Sequence, residues 1–172
     1  HLHHFAKAYR SPAKVLSAIN EAMERKMQRD MFITMIYAVL DLETERLELA
    51  RAGHELPFFY NSHSNGTVDV RPVHSPGMAI GMVEPKIFDS VIQDTSIHFG
   101  SEDVLLFYTD GITEAVNQEG EEFSSERLLE VLSANGKSSA QEIVDQALGS
   151  VERFSEGTGQ IDDLTLIAVK HV

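Results

Sequence analysis

The 172-residue chain contains no cysteine. That one absence removes disulfides, thiolate metal sites and a cysteine nucleophile together, and it suits the cytoplasm. Tryptophan is absent as well. No apolar run approaches the roughly 18 residues that would indicate a membrane-spanning helix. The opening His1-Leu2-His3-His4-Phe5 lacks the apolar core and small-residue cleavage site of a signal peptide. Basic residues are scarce: 14 against 27 acidic ones, for a formal net charge of -13. Such a surface repels phosphate backbones, which argues against nucleic acid as a partner. It would repel a phosphorylated substrate too, unless bound cations neutralised the site.

What is present reads as one α+β domain over residues 1–172. Residues 1–8 have the spacing of the end of a helix, although the histidines also admit a leftover tag. Ser11-Pro12 opens a second helix, with serine as N-cap and proline at the first helical position. Its apolar stripe is Val15, Leu16, Ile19, Ala22, Met23 and Met27. Met31 to Leu40, nearly all apolar, predicts a central strand buried on both faces. Arg46 to Leu49 alternates as its hairpin partner. Pro57 to Tyr60 and Val68 to Val73 predict further strands, and Ser75 to Gly81 a glycine-rich loop. Phe88 to Phe99 alternates loosely and predicts a strand. Asp103 to Thr109 is a strong buried strand that stops at Asp110-Gly111. Ser124 or Ser125 caps a helix carrying Leu128, Leu129 and Leu132. Ser139 and Glu142 form a capping box for another. Leu164 to Val169 closes the chain as a strand. Hairpin-length connections with helices in blocks argue a largely antiparallel sheet.

With cysteine gone, the carboxylates are the groups of interest. Asp110 follows one buried strand and Asp162 precedes another. If those strands are antiparallel, both aspartates emerge at the same sheet edge. Converging carboxylates repel unless protonated or bridged by cations, and hard oxygen ligands suit Mg²⁺ or Mn²⁺. Asp-Gly is equally the commonest turn dipeptide, so spacing alone leaves both readings open.

Five features in order resolve this by resemblance: Ala52-Gly53-His54 followed by Pro57 and aromatics, the Gly77–Gly81 loop, Phe107-Tyr108-Thr109-Asp110-Gly111, the turn Asn117-x-x-Gly120-Glu121-x-Phe123, and Ile161-Asp162-Asp163-Leu164-Thr165. From about residue 9 onward the chain resembles the metal-dependent protein phosphatases (PPM), in their bacterial SpoIIE/RsbU-like branch. The resemblance implies a PPM-like layered sandwich of largely antiparallel sheets flanked by helices. It implies a serine/threonine phosphatase holding two Mn²⁺ or Mg²⁺ ions in the complete domain. Asp110, Gly111 through its backbone, Asp162 and, more weakly, Asp163 are the implied metal ligands. No side chain is catalytic in this scheme: water activated by the metals is the nucleophile. Thr109 and Thr165 are expected as supports, and His54 as a residue that hydrogen-bonds its own loop rather than a general acid.

The implied substrate is a phosphorylated regulatory protein, with an anti-sigma-factor antagonist as candidate, in a signalling pathway fed by an upstream sensor or receiver domain. The first two helices are expected either to be plain core or to move with activation. The family's first acidic motif is not found. Either the chain lacks its first strands or the site has degenerated, and a complete two-metal centre is not expected in it as it stands. A bare sheet edge, and with it a homodimer, would follow. The alternative function is a non-catalytic phosphatase-fold domain that binds a partner protein.

Overall fold

The computed structural model describes residues 2–24, 26–27, 31–63, 66–158 and 163–172. In chain order the elements are α1 (Leu2–Ala8), α2 (Pro12–Glu24), β1 (Met35–Asp41), β2 (Arg46–Ala52), β3 (Phe58–Ser62) and β4 (Val68–Pro72). There follow α3 (Pro85–Val91), β5 (Thr95–His98), β6 (Val104–Tyr108), α4 (Asp110–Thr113), α5 (Ser124–Asn135), α6 (Ala140–Phe154) and β7 (Leu166–Lys170). They fall into two compact units, His1–Leu56 with His74–His98, and Pro57–Val73 with Phe99–Val172.

The first unit is built on an antiparallel sheet in the order β1-β2-β5. The turn from β1 to β2 is made by Asp41, whose Oδ1 accepts from the amides of Glu43 and Thr44 at 3.0 and 3.1 Å. Donation from the Thr44 amide is the main reason its carboxyl lies below the usual aspartate range. Helix α2 buries Val15, Leu16 and Ile19 against Ala50 and Ala52 of β2 and against Ile80, Phe88 and Ile92. Met23 and Met27 of the predicted stripe pack against this core partly buried. Ser11 Oγ accepts from the Lys14 amide at 3.2 Å, as expected of an N-cap, and donates to Asp94.

Two strand expectations are corrected in this unit. The apolar run at Met31–Leu40 yields β1 from Met35, at the edge of the sheet, with none of its residues fully buried. The central, buried strand is its partner β2. Apolar character marks a strand but does not say whether it has a neighbour on both sides. Phe88–Phe99 is not one strand but α3 followed by β5. Pro85 starts the helix, and Phe88 and Ile92, four apart, are buried beneath it. Only Thr95 onward truly alternates, and merging the two periods gave the appearance of a single loose strand.

The second unit carries a four-stranded antiparallel sheet in the order β4-β3-β6-β7. Helices α5 and α6 bury Leu128, Leu132, Ile143, Ala147 and Val151 against Phe58, Tyr60, Val104 and Leu106 of β3 and β6. The predicted capping box is present: Ser139 Oγ accepts from the Glu142 amide at 3.3 Å, and Glu142 Oε2 accepts from the Ser139 amide at 2.9 Å. The side chain of Lys170, at the end of β7, is almost wholly buried. Its ammonium donates to the carbonyls of Gly136, Lys137 and Ser138 just past α5, and pairs with Glu102. A cation there meets the negative end of the helix.

Candidate metal centre at the β6–β7 edge

β6 and β7 are antiparallel, with Tyr108 opposite Leu166. The condition set by the sequence is met, so the end of β6 and the approach to β7 lie at one edge of the sheet. Thr109 is still extended. Its amide donates to the Thr165 carbonyl at 3.1 Å, continuing the ladder one step. The chain then turns into the single helical turn α4, because the Thr109 carbonyl accepts from Ile112 and the Asp110 carbonyl from Glu114. Gly111 and Ile112 are buried in that turn. Asp110 is exposed, and its Oδ1 accepts from the Gly111 amide at 3.0 Å, which orients the carboxylate.

Across the edge, the Thr109 hydroxyl accepts from the Thr165 amide at 3.0 Å and donates to the Asp163 carbonyl at 3.1 Å. Asp163, also exposed, is thereby held beside the Asp110 turn. Asp162 lies outside the described residues. Exposed carboxylate oxygens on this edge are the right donor type for a hard divalent cation. Among the described residues, however, no three His, Asp or Glu side chains gather closely enough to hold a metal ion.

The turn after α4 has a defined architecture. Asn117 Oδ1 accepts from the amides of Glu119 and Glu121 at 3.1 and 2.8 Å, and Gly120 takes a φ of 80°. Phe123 is buried and its amide donates to the Ala115 carbonyl at 2.7 Å. The motif's asparagine, glycine and phenylalanine each have a structural task. The turn also supports the loop that leads to the last acidic motif. Gln118 Nε2 donates to the Glu156 carbonyl at 3.0 Å, and Thr158 Oγ1 reaches the Val116 carbonyl at 2.8 Å.

Ala52-Gly53-His54 and the Gly77–Gly81 loop belong to the first unit, where they form one feature. Arg51 donates to the carbonyls of Ser75 and His54 at 2.8 and 2.7 Å. Gly53 has a φ of 69° and lets the Ala79 backbone come so near that a Cβ would stand 2.7 Å from its nitrogen. His54 Nδ1 lies 3.1 Å from Thr34 Oγ1, so its partner is in the segment before β1 and not in its own loop. Sequence reading passed over Arg51, which looks like an ordinary alternating residue of β2. It passed over Asp103 as well, a buried carboxylate satisfied by Asn61, Ser62 and Gly100.

Comparison with known proteins bears directly on this arrangement of motifs. The model of the family Stage II sporulation protein E (SpoIIE) matches residues 1–172. The chain belongs to the SpoIIE family. It is 29% identical over 161 residues to the phosphoserine phosphatase RsbU of Bacillus subtilis, covering 92% of this chain and 45% of RsbU. More generally it spans between 20% and 45% of the length of its first two relatives. The SiaA-PP2C domain of Pseudomonas aeruginosa superposes with a TM-score of 0.84 at 16% identity, over 99% of this chain and 66% of that one. The Mn-presoaked phosphatase domain of SpoIIE from Bacillus subtilis does so with a TM-score of 0.67 at 19% identity, over 99% and 70%. The fold is that of the PP2C phosphatases, and the branch is the SpoIIE/RsbU-like one.

Proposed function

We propose that residues 1–172 act as a single phosphatase domain of a metal-dependent serine/threonine protein phosphatase. The observation that carries this reading is the β6–β7 edge, where an exposed, amide-oriented Asp110 shares one edge with Asp163. Asp110, the Gly111 carbonyl, Asp162 and Asp163 would hold Mn²⁺ or Mg²⁺. Such ions, when bound, supply positive charge to the phosphoryl oxygens and lower the pKa of the attacking water.

The chain's own residues supply orientation. The α4 turn aims the Asp110 carboxylate, the Asn117–Phe123 turn braces the loop before the last motif, and no side chain serves as nucleophile. The acidic excess of the chain is concentrated in this unit, so cations are needed before a phosphorylated substrate could approach.

The substrate that fits is phosphoserine or phosphothreonine on a regulatory protein, in keeping with the name phosphoserine phosphatase that RsbU bears; an anti-sigma-factor antagonist is the first candidate by the resemblance of the motifs. A sensor or receiver domain in the same protein and a cytoplasmic setting belong to this reading. Among the described residues no helix is long and apolar enough to cross a membrane. The competing reading is a partner-binding domain without turnover, in which the family's first acidic motif has been replaced.

The test is phosphate release from a phosphoserine protein by the full-length gene product, with Mn²⁺ and with EDTA. Release that needs the metal supports the enzyme. No release, or release indifferent to EDTA, rejects it.

A further inference from the structure

We propose that Thr109 is a positioning residue for the last acidic motif, acting through its hydroxyl; this rests on reading the β6–β7 edge as the metal-bearing one. In an antiparallel ladder each residue of a hydrogen-bonded pair offers both its amide and its carbonyl to the other. At Thr109 the pair is broken on one side. Its amide reaches the Thr165 carbonyl, but its carbonyl turns to the Ile112 amide at 3.0 Å, where α4 begins, and does not accept from Thr165. The Thr165 amide would be left without that partner. The Thr109 hydroxyl takes it instead, at 3.0 Å, and passes its own proton to the Asp163 carbonyl at 3.1 Å.

One side chain thus completes the ladder beyond the point where the backbone has turned away. It ties Asp163 and Thr165 to the residue that immediately precedes Asp110. On the far side of residues 159–162, Thr158 Oγ1 lies 2.8 Å from the Val116 carbonyl and 2.7 Å from that of Ser155. Threonine hydroxyls thus fix Thr158 on one side and Asp163 with Thr165 on the other. The Thr109 hydroxyl acts on main-chain groups, the Asp163 carbonyl and the Thr165 amide, so it fixes where the Asp163 side chain starts without itself bonding a carboxylate oxygen. Outer contacts of this kind commonly change metal affinity by about 10- to 100-fold.

The role requires a group that donates and accepts at once. Serine meets this requirement and isosteric valine does not. In Thr109→Val, Mn²⁺ affinity, read as free Mn²⁺ by electron paramagnetic resonance, should fall by about 10-fold or more. Thr109→Ser should retain it, and circular dichroism in EDTA should show all three proteins folded. Equal affinity in Thr109→Val and wild type overturns the proposal. So does a Thr109→Ser protein as weak as Thr109→Val, since the hydroxyl would then not be the cause.

Absence of Mn²⁺ binding in the wild type itself would instead reject the metal reading. The clamp is then judged in metal-free protein by hydrogen exchange at the Thr165 amide. Faster exchange in Thr109→Val than in wild type upholds the clamp, and an unchanged rate overturns it.

Discussion

Gly77 lies so close against the carbonyl of Arg51 that a Cβ at this position would collide with the carbonyl oxygen. The obstructing atom is backbone, in the buried strand β2, and cannot swing aside. The glycine-rich loop is therefore defined by an approach between two chain segments and not by its own flexibility. Gly77→Ala is expected to destabilise the protein by about 3 kcal/mol or more, at the upper end of the overpacking range. Gly149→Ala is the contrasting case. In the middle of α6 its Cβ would meet only the tip of Arg153, at 3.2 Å, and the helix should gain about 0.5–1 kcal/mol. Urea unfolding of both variants measures the two effects.

Asp103 is expected to be structural rather than a metal ligand, although it is an aspartate beside the same strand as Asp110. Its Oδ1 accepts from Asn61 Nδ2 and the Ser62 amide at 2.8 and 2.9 Å, and its Oδ2 from the Gly100 amide at 2.8 Å. Asp103→Ala strands these donors in a buried place, which should cost about 3 kcal/mol or more. Mn²⁺ affinity of the folded fraction should be unchanged. A calorimetric metal titration beside a thermal melt checks both.

The capping box of α6 should give stability a definite pH dependence. The Ser139 amide, and after it the Ser139 hydroxyl, hold the Glu142 carboxyl below its usual value. A depressed carboxyl contributes stability that is fully present above the unfolded pKa and is lost as pH falls through the lower folded value. Ser139→Ala should cost about 1 kcal/mol near neutral pH. The gap from wild type should narrow only in the acid range below the ordinary glutamate pKa. Unfolding curves for the two proteins across that range give the result, and a gap independent of pH would contradict it.

Much of this was legible beforehand because it is local. Ser139 and Glu142 announce α6 by spacing, Ser11-Pro12 announces α2, and the run after Asp103 announces β6. The sheet-edge relation of Asp110 to the last motif needed only the assumption that β6 and β7 are antiparallel. What escaped is non-local. Lys170 shows nothing in sequence of the three carbonyls it serves more than 30 residues away. Arg51 likewise gives no sign that it fastens the loops at His54 and Ser75. The edge position of β1 depends on which strands flank it, which no run of apolar residues encodes.

The central claim is that Asp110 holds metal for phosphate-ester hydrolysis. The most direct test is Mn²⁺-dependent phosphate release from a phosphoserine protein by the full-length gene product, compared with its Asp110→Asn variant, both shown to be folded by circular dichroism. Release by the wild type and its fall to background in Asp110→Asn is the expected result. Undiminished release in the variant would contradict the assignment.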